Sequence, residues 1–564
     1  MKLKLGNSID VVLLIIFLAI FVFLGAGKVF DHQITHPSPT GFMASDAFTH
    51  NWVSQNLYDT GSYDRLPEYA FRNKEEYQEQ ADDYKLFHPP VLPFITASLA
   101  KLTGLNVYDV DIVVVYLVIV LMIVLSYFIL ARFSTALALF SLPLCLLFLQ
   151  RKFSISLTWG WWNFMLGEFF LMATIFLILS KPFKYRYFLS AVLITAAFIA
   201  HGLEAAYAAI FIVFYLLFYL VFNKKDFLKM FLEQVKSMFL VILFSGYWVL
   251  VLFKTMGAEG YSQVRFMSNA EFLNTFYGGQ PISYFVMFED FTQFKILLII
   301  GSLVMLYLLI KNKHEVLTYW AFVIFMSFSP YFYIMAGERG FQWRFIWPIF
   351  LSFAFGAVIF LAYSFLKSKH KKYLRIFIFA LVLGTLLFMV YPLPYQGTGV
   401  IGEKEYGSYQ WVHSNIDPYA KILVMYSPQN SQISSLNLLK RELFVSRPET
   451  VQALSLDNST ISLLIQTDMK IDYFCLKKDC STFGKSNFSE YRNSGYKYYE
   501  NRSVCSFDYV YMSLRNYEEV NRINVAYLQN LLDKQIFKIV FNNEGVVIAQ
   551  RMREGEECET SFKS

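Results

Sequence analysis

Apolar and polar positions divide this chain in two. Up to about residue 391, long apolar runs alternate with short polar turns, and beyond it both kinds of residue alternate in short segments. An apolar helix needs about 20 residues to cross a hydrocarbon core of about 30 Å. The first part contains about eleven runs near that length, over 9–27, 110–131, 134–150, 162–180, 186–201, 205–222, 230–253, 294–311, 315–335, 344–366 and 373–391. The third is short and the seventh contains Lys236. The second part sets β-like runs (KILVMYS, KIDYFCL, FKIVFN, GVVIAQR) beside a helical segment over 517–534, which predicts a small α/β domain. The expected fold class is a polytopic α-helical membrane protein (1–391) with a C-terminal α/β domain (392–564).

Composition agrees. Of 564 residues, 56% are hydrophobic and only 16% charged, against about 25% charged in soluble domains. The first run follows Lys2 and Lys4 but lacks a small-residue cleavage pattern, so it reads as a retained signal anchor. The net charge of +6 sits at the ends of apolar runs and gives no reason to expect nucleic acid as a partner.

With the N-terminus in the cytoplasm, the inner turns contain Arg132, then Lys181, Lys184 and Arg186, then Lys224 and Lys225, then Lys311 and Lys313, and finally Lys367 to Arg375. That is the positive-inside bias, and an odd number of spans leaves the C-terminal domain extracytoplasmic. All three N-x-S/T sequons, at Asn458, Asn487 and Asn501, fall in that domain. So do Cys475, Cys480, Cys505 and Cys558, an even number suited to disulfides in an oxidising compartment. Cys145, inside an apolar run, reads as a small core residue.

The same topology collects the polar chemistry on the outer face. The first outer loop, 28–108, is far longer than a connector requires. It carries SDAFTHNWVSQNLYDTGSY (45–63), an amphipathic helix stopped by glycine, and later His88-Pro89-Pro90, an extended turn feeding the second span. The cluster Trp159-Gly160-Trp161-Trp162, the turn His201-Gly202-Leu203-Glu204, and Gly337-Glu338-Arg339-Gly340 with Trp343-Arg344 share that face. The tryptophans read first as an interfacial belt.

A first span followed by a long outer loop with an early aspartate on a juxtamembrane helix resembles the C-type (GT-C) glycosyltransferase superfamily. So do the Phe87-His88-Pro89-Pro90 element, the late Glu-Arg/Trp-Arg element, some eleven spans and a C-terminal outer domain. The resemblance covers most of the chain as architecture and matches no single member, whether protein O-mannosyltransferase, aminoarabinose transferase or oligosaccharyltransferase. It implies a sugar donor linked to a polyprenyl phosphate or pyrophosphate, a membrane lipid bound between helices, and a hydroxyl or amide acceptor of unspecified kind.

The phosphate is already a good leaving group, so one carboxylate that takes the acceptor's proton suffices. Asp46 is the candidate base, because free N–H groups and the macrodipole at a helix start favour its ionised form; its bland reading is an N-cap. His50, one turn on, is a candidate for positioning the acceptor or joining a metal site. Arg339 and Arg344 are candidates for the lipid-linked phosphate, since a guanidinium offers paired donors, with Glu338 and His88 as neighbours. His201 and Glu204 suit substrate hydroxyls, or a divalent cation together with Asp46, which leaves metal dependence open. The first short outer turn lacks the second acidic motif of metal-dependent oligosaccharyltransferase subunits. Glu168, within a span, is expected to be a hydrogen-bonded structural residue. Two other classes stay in view, a lipid or polysaccharide transporter and a non-catalytic surface-assembly protein; clean spans with polar residues at one face favour an enzyme over the former.

Overall fold

A computed structural model of the chain describes residues 8–29, 46–63, 89–149, 160–263, 292–328, 347–366, 371–390, 403–425, 439, 441–446, 470–475, 497–514, 518–553 and 557–558. Its membrane part begins with α1 (Ser8–Val29), α2 (Asp46–Thr60), α3 (Val91–Thr103) and α4 (Val107–Ala131). There follow α5 (Thr135–Ser141) and a 3₁₀ turn (Pro143–Leu149), then α6 (Trp162–Ile178), α7 (Arg186–Ala200), α8 (Gly202–Phe222) and α9 (Lys224–Gln263). Helices α10 (Thr292–Asn312), α11 (Thr318–Phe328), α12 (Trp347–Phe365) and α13 (Lys371–Val390) complete it.

Each predicted apolar run overlaps one of these elements. Among the described residues, four helices are long and apolar enough by themselves to cross a membrane: Ile9–Ala26, Val107–Ala131, Gly202–Phe222 and Pro348–Phe365. Two others differ from expectation. The run over 134–150 is broken, because Pro143 has no N–H to give and its ring crowds the preceding turn, and both halves are buried in the bundle core. Helix α9 extends over 40 residues, about 60 Å at 1.5 Å per residue, and so outruns a bilayer. Leu228, Ile242 and Leu250 on α9, Leu303 and Ile310 on α10, and Phe377 and Phe388 on α13 point outward. A surface that apolar suits lipid and not water.

Small residues bring helices together where no hydrophobic drive separates protein from lipid. A Cβ on Gly301 of α10 would stand 2.4 Å from Ala354 Cβ and 2.6 Å from Ala354 Cα on α12. Backbone therefore lies against backbone at that crossing.

The residues that sequence places on the inner side also meet. Arg132 donates to the Leu179 carbonyl and, at 2.8 Å, to Ser180 Oγ. Buried Arg186 donates to Glu233 and to the carbonyls of Ile178 and Ser180. Both arginines thus satisfy the free carbonyls at the end of α6. Arg375 grips Asp10 at 2.8 and 2.9 Å, tying α13 to α1. Charge bias predicts these residues at cytoplasmic turns; packing gives them contacts within the bundle.

The C-terminal part contains α14 (Glu403–Asn415), β1 (Lys421–Val424), β2 (Glu442–Ser446), β3 (Lys470–Cys475), β4 (Lys497–Ser503), β5 (Tyr509–Ser513), α15 (Glu518–Asp533), β6 (Phe537–Asn542) and β7 (Val546–Arg551). They form a mixed sheet of order β4-β3-β2-β1-β5-β7-β6, with β1 parallel to β2 and β5 and the remaining pairs antiparallel. The four predicted strands and the predicted helix are all present. Cys505 and Cys558 are joined in a disulfide. Cys475 closes β3, while Cys480 lies outside the described residues. Asn501 is in β4; Asn458 and Asn487 also lie outside the described residues. Tyr108, at the start of α4, packs into a core with Tyr409, Val412, Ile416, Ile422 and Tyr511. The start of the second apolar run is therefore seated in the C-terminal domain.

Candidate active site

Helix α2 is unusual for the polarity of what it buries. His50, Asn51, Ser54, Gln55 and Asn56 are all buried, alongside Ala47, Val53 and Leu57. A polar face turned inward needs partners, and these lie on α3, on α4 and on the turn before α6. The helix stops where Gly61 enters the left-handed region (φ 67°) and returns its N–H to the Leu57 carbonyl at 2.9 Å.

His50 docks the first turn of α2. Its Nε2 lies 2.7 Å from the Gly160 carbonyl, and Asn163 Nδ2 approaches its Nδ1 at 3.5 Å. The ring stacks on the buried indole of Trp162 at 5.6 Å between centroids. These contacts fit the neutral ring with its hydrogen on Nε2. Burial pushes the imidazole down from 6.5 to about 4; the Gly160 bond opposes that shift, and His201 adds to it. Gly160 itself sits at φ 82°, a backbone region that glycine adopts at no steric cost. The Trp159-to-Trp162 cluster, expected first as a belt, therefore supplies α2 with a carbonyl and a stacking surface through Gly160 and Trp162.

Asp111 docks the next turn. This fully buried carboxylate accepts from Thr96 Oγ1 at 2.6 Å and from Ser54 Oγ at 3.3 Å, both at Oδ1. It pins α2, α3 and α4 at one point. The sequence reading passed over it, although an aspartate one turn into a span is a signal of the right kind.

His201 and Glu204 close the group. His201 Nδ1 contacts Glu204 Oε2, and a Cβ on Gly167 of α6 would meet Glu204 Oε2 and His201 Cβ at 3.1 Å. The α7–α8 turn thus lies directly on the α6 backbone, beside Glu168. The expectation of a hydrogen-bonded Glu168 is not met at its Oε1, which is buried with no partner among the described residues. Among the described residues no three His, Cys, Asp or Glu side chains are placed to hold a metal ion.

Asp46 is the first residue of α2, one turn before His50. His88, Glu338, Arg339 and Arg344 lie outside the described residues. Three of the segments that sequence put on one face, 46–63, 160–163 and 201–204, do come together. Only tertiary structure could reveal that His50 is committed to a backbone carbonyl.

No protein-family model matches the chain, and no curated protein matches it by sequence. Solved structures match it by shape. ArnT from Cupriavidus metallidurans, bound to undecaprenyl phosphate, aligns with a TM-score of 0.52 at 12% identity, covering 98% of this chain and 100% of that one. The oligosaccharyltransferase AglB from Archaeoglobus fulgidus, in complex with an inhibitory peptide and a dolichol-phosphate, aligns with a TM-score of 0.56 at 12% identity, covering 97% of this chain and 75% of that one. The chain has the fold of these GT-C membrane enzymes, as its sequence resemblance implied.

Proposed function

We propose that this protein is an inverting membrane glycosyltransferase that moves a sugar from a polyprenyl-phosphate-linked donor to an acceptor on the extracytoplasmic face. One observation carries the reading: the fold runs over nearly the whole chain alongside two enzymes whose structures hold a polyprenyl phosphate. Helix α2, with Asp46 at its start, is held in the bundle through His50 and Ser54. In the reaction, the acceptor O–H or N–H gives its proton to Asp46 as its heteroatom bonds to the anomeric carbon. The bond from that carbon to the phosphate oxygen breaks, and the polyprenyl phosphate leaves with its own charge held by Arg344 and Arg339. Attack opposite the leaving group inverts the sugar. His50 acts by holding α2, and substrate binding is assigned to His201, Glu204, His88 and Glu338.

Transfer or release of labelled sugar from synthetic polyprenyl-phosphate donors, with purified protein in bilayers, tests this directly. Asp46→Asn should lower turnover by about 10²-fold or more, the range of a lost general base. Wild-type turnover that survives the substitution removes Asp46 from its role, and no turnover with any donor shifts weight to the transporter reading.

A further inference from the structure

We propose that the corner between α3 and α4 fastens α2 to the C-terminal domain, with Asp111 as a positioning residue for Asp46. Only the task of Asp46 rests on the glycosyltransferase reading. The corner is tight, because residues 104–106 alone join the two helices. Thr96 Oγ1 of α3 donates to Asp111 Oδ1 of α4 at 2.6 Å, so the two arms are bonded to each other as well as joined at the tip.

Tip and arms grip different parts of the protein. At the tip, Tyr108 is 2% exposed and lies in a core whose other buried members, Tyr409 to Ile548, all belong to the C-terminal domain. Three residues on, Asp111 accepts from Ser54 Oγ of α2 at 3.3 Å. Oδ2 of Asp111 has no partner among the described residues, so Oδ1 alone makes that connection. Lys101 of α3 adds a second contact to α2, its ammonium 5.7 Å from the Tyr58 ring centroid. Residues three apart on a helix share a face and differ by about 4.5 Å along its axis. A displacement of Tyr108 therefore carries Asp111 with it, and Ser54 behind Asp111. The other anchor of α2, His50 on the Gly160 carbonyl, belongs to the bundle. Helix α2 is thus held between the bundle and the C-terminal domain, and the placement of that domain reaches Asp46 through Ser54, about two turns further along the same helix.

Hydrogen exchange of the full chain in nanodiscs, read by mass spectrometry, tests this without reference to turnover. Asp111→Ala should speed exchange of the α2 amides by about tenfold, as the net loss of a buried hydrogen bond predicts. Asp111→Asn, which keeps an oxygen acceptor for Thr96 and Ser54, should restore most of the protection. Val412→Ala, a small cavity in the core that holds Tyr108, should speed exchange in α2 as well as in β1 and leave α10 and α12 as in wild type. In the Asp111→Ala background the same substitution should add nothing in α2. Faster exchange in β1 with α2 unchanged overturns the fastening, and so does a Val412→Ala effect on α2 that persists without Asp111. With a donor that is turned over, Asp111→Ala should lower kcat and Asp111→Asn should recover it. Absence of turnover with every donor counts against the task of Asp46, and the exchange pattern still decides the fastening.

Discussion

Acid should loosen α2 from the bundle, and His50 sets how much. A buried imidazole held at about 4, against 6.5 when exposed, stays neutral in the folded protein while the unfolded chain takes up its proton. Between those two values the unfolded state binds more protons, so stability rises with pH. The contribution is therefore complete above about pH 6.5 and is lost as pH falls towards 4. At about 1.4 kcal/mol per tenfold change, the interval corresponds to about 3 kcal/mol. Charging the ring would also place a hydrogen on Nδ1, opposite the Asn163 amide group that now approaches it. His50→Gln keeps a nitrogen donor for the Gly160 carbonyl and has no proton to gain. Resistance to heat-induced aggregation in detergent, followed from about pH 7 to pH 4 for both proteins, reads the difference. Wild type should weaken steeply across that window and His50→Gln should weaken less, although Gln costs some packing against Trp162 at neutral pH. Parallel profiles for the two proteins, or a His50 ring signal in nitrogen-15 spectra that titrates near 6.5, would refute the assignment.

Other expectations follow from single contacts. Thr96→Val keeps the shape but removes the 2.6 Å bond to Asp111; leaving that buried oxygen short of a donor should cost about 1–3 kcal/mol, and Ser54→Ala should cost less when made after Thr96→Val than the same logic applied twice, a coupling that a double-mutant cycle measures. Gly301→Leu would drive a side chain into Ala354 and should lower the yield of folded, monodisperse protein, whereas overpacking elsewhere costs only about 1–3 kcal/mol. Replacing Cys505 with Ser opens a loop of 53 residues, worth about 4 kcal/mol in the chain-entropy account; protease resistance of the C-terminal domain in the intact protein should fall, and reductant should reproduce the loss in wild type.

Much of the architecture is legible in the sequence because its cause is local or nearly so. An apolar run of sufficient length becomes a helix in lipid, where each backbone group must bond within its own segment, and Pro143 breaks one such run without help from its neighbours. Charge bias at the run ends predicts which turns share a side, and the segments around Asp46, Gly160 and His201 do come together. Alternation and β-branched residues marked four of the strands; β2, β4 and β5 carry weaker patterns, and their places in the sheet depend on partners far along the chain. What tertiary structure alone decided is who meets whom. Glu442 to Ser446 becomes a strand by lying beside β1. Asp111 gains meaning from Ser54, 57 residues earlier. His50 becomes a buried neutral anchor through a carbonyl 110 residues away, and Glu204 rests on the α6 backbone because Gly167 has no side chain to keep it off. Local sequence fixes which side chains a helix carries and roughly where it lies. Burial, and with it the charge state of every carboxylate and imidazole at this site, depends on contacts the chain makes only once it is folded.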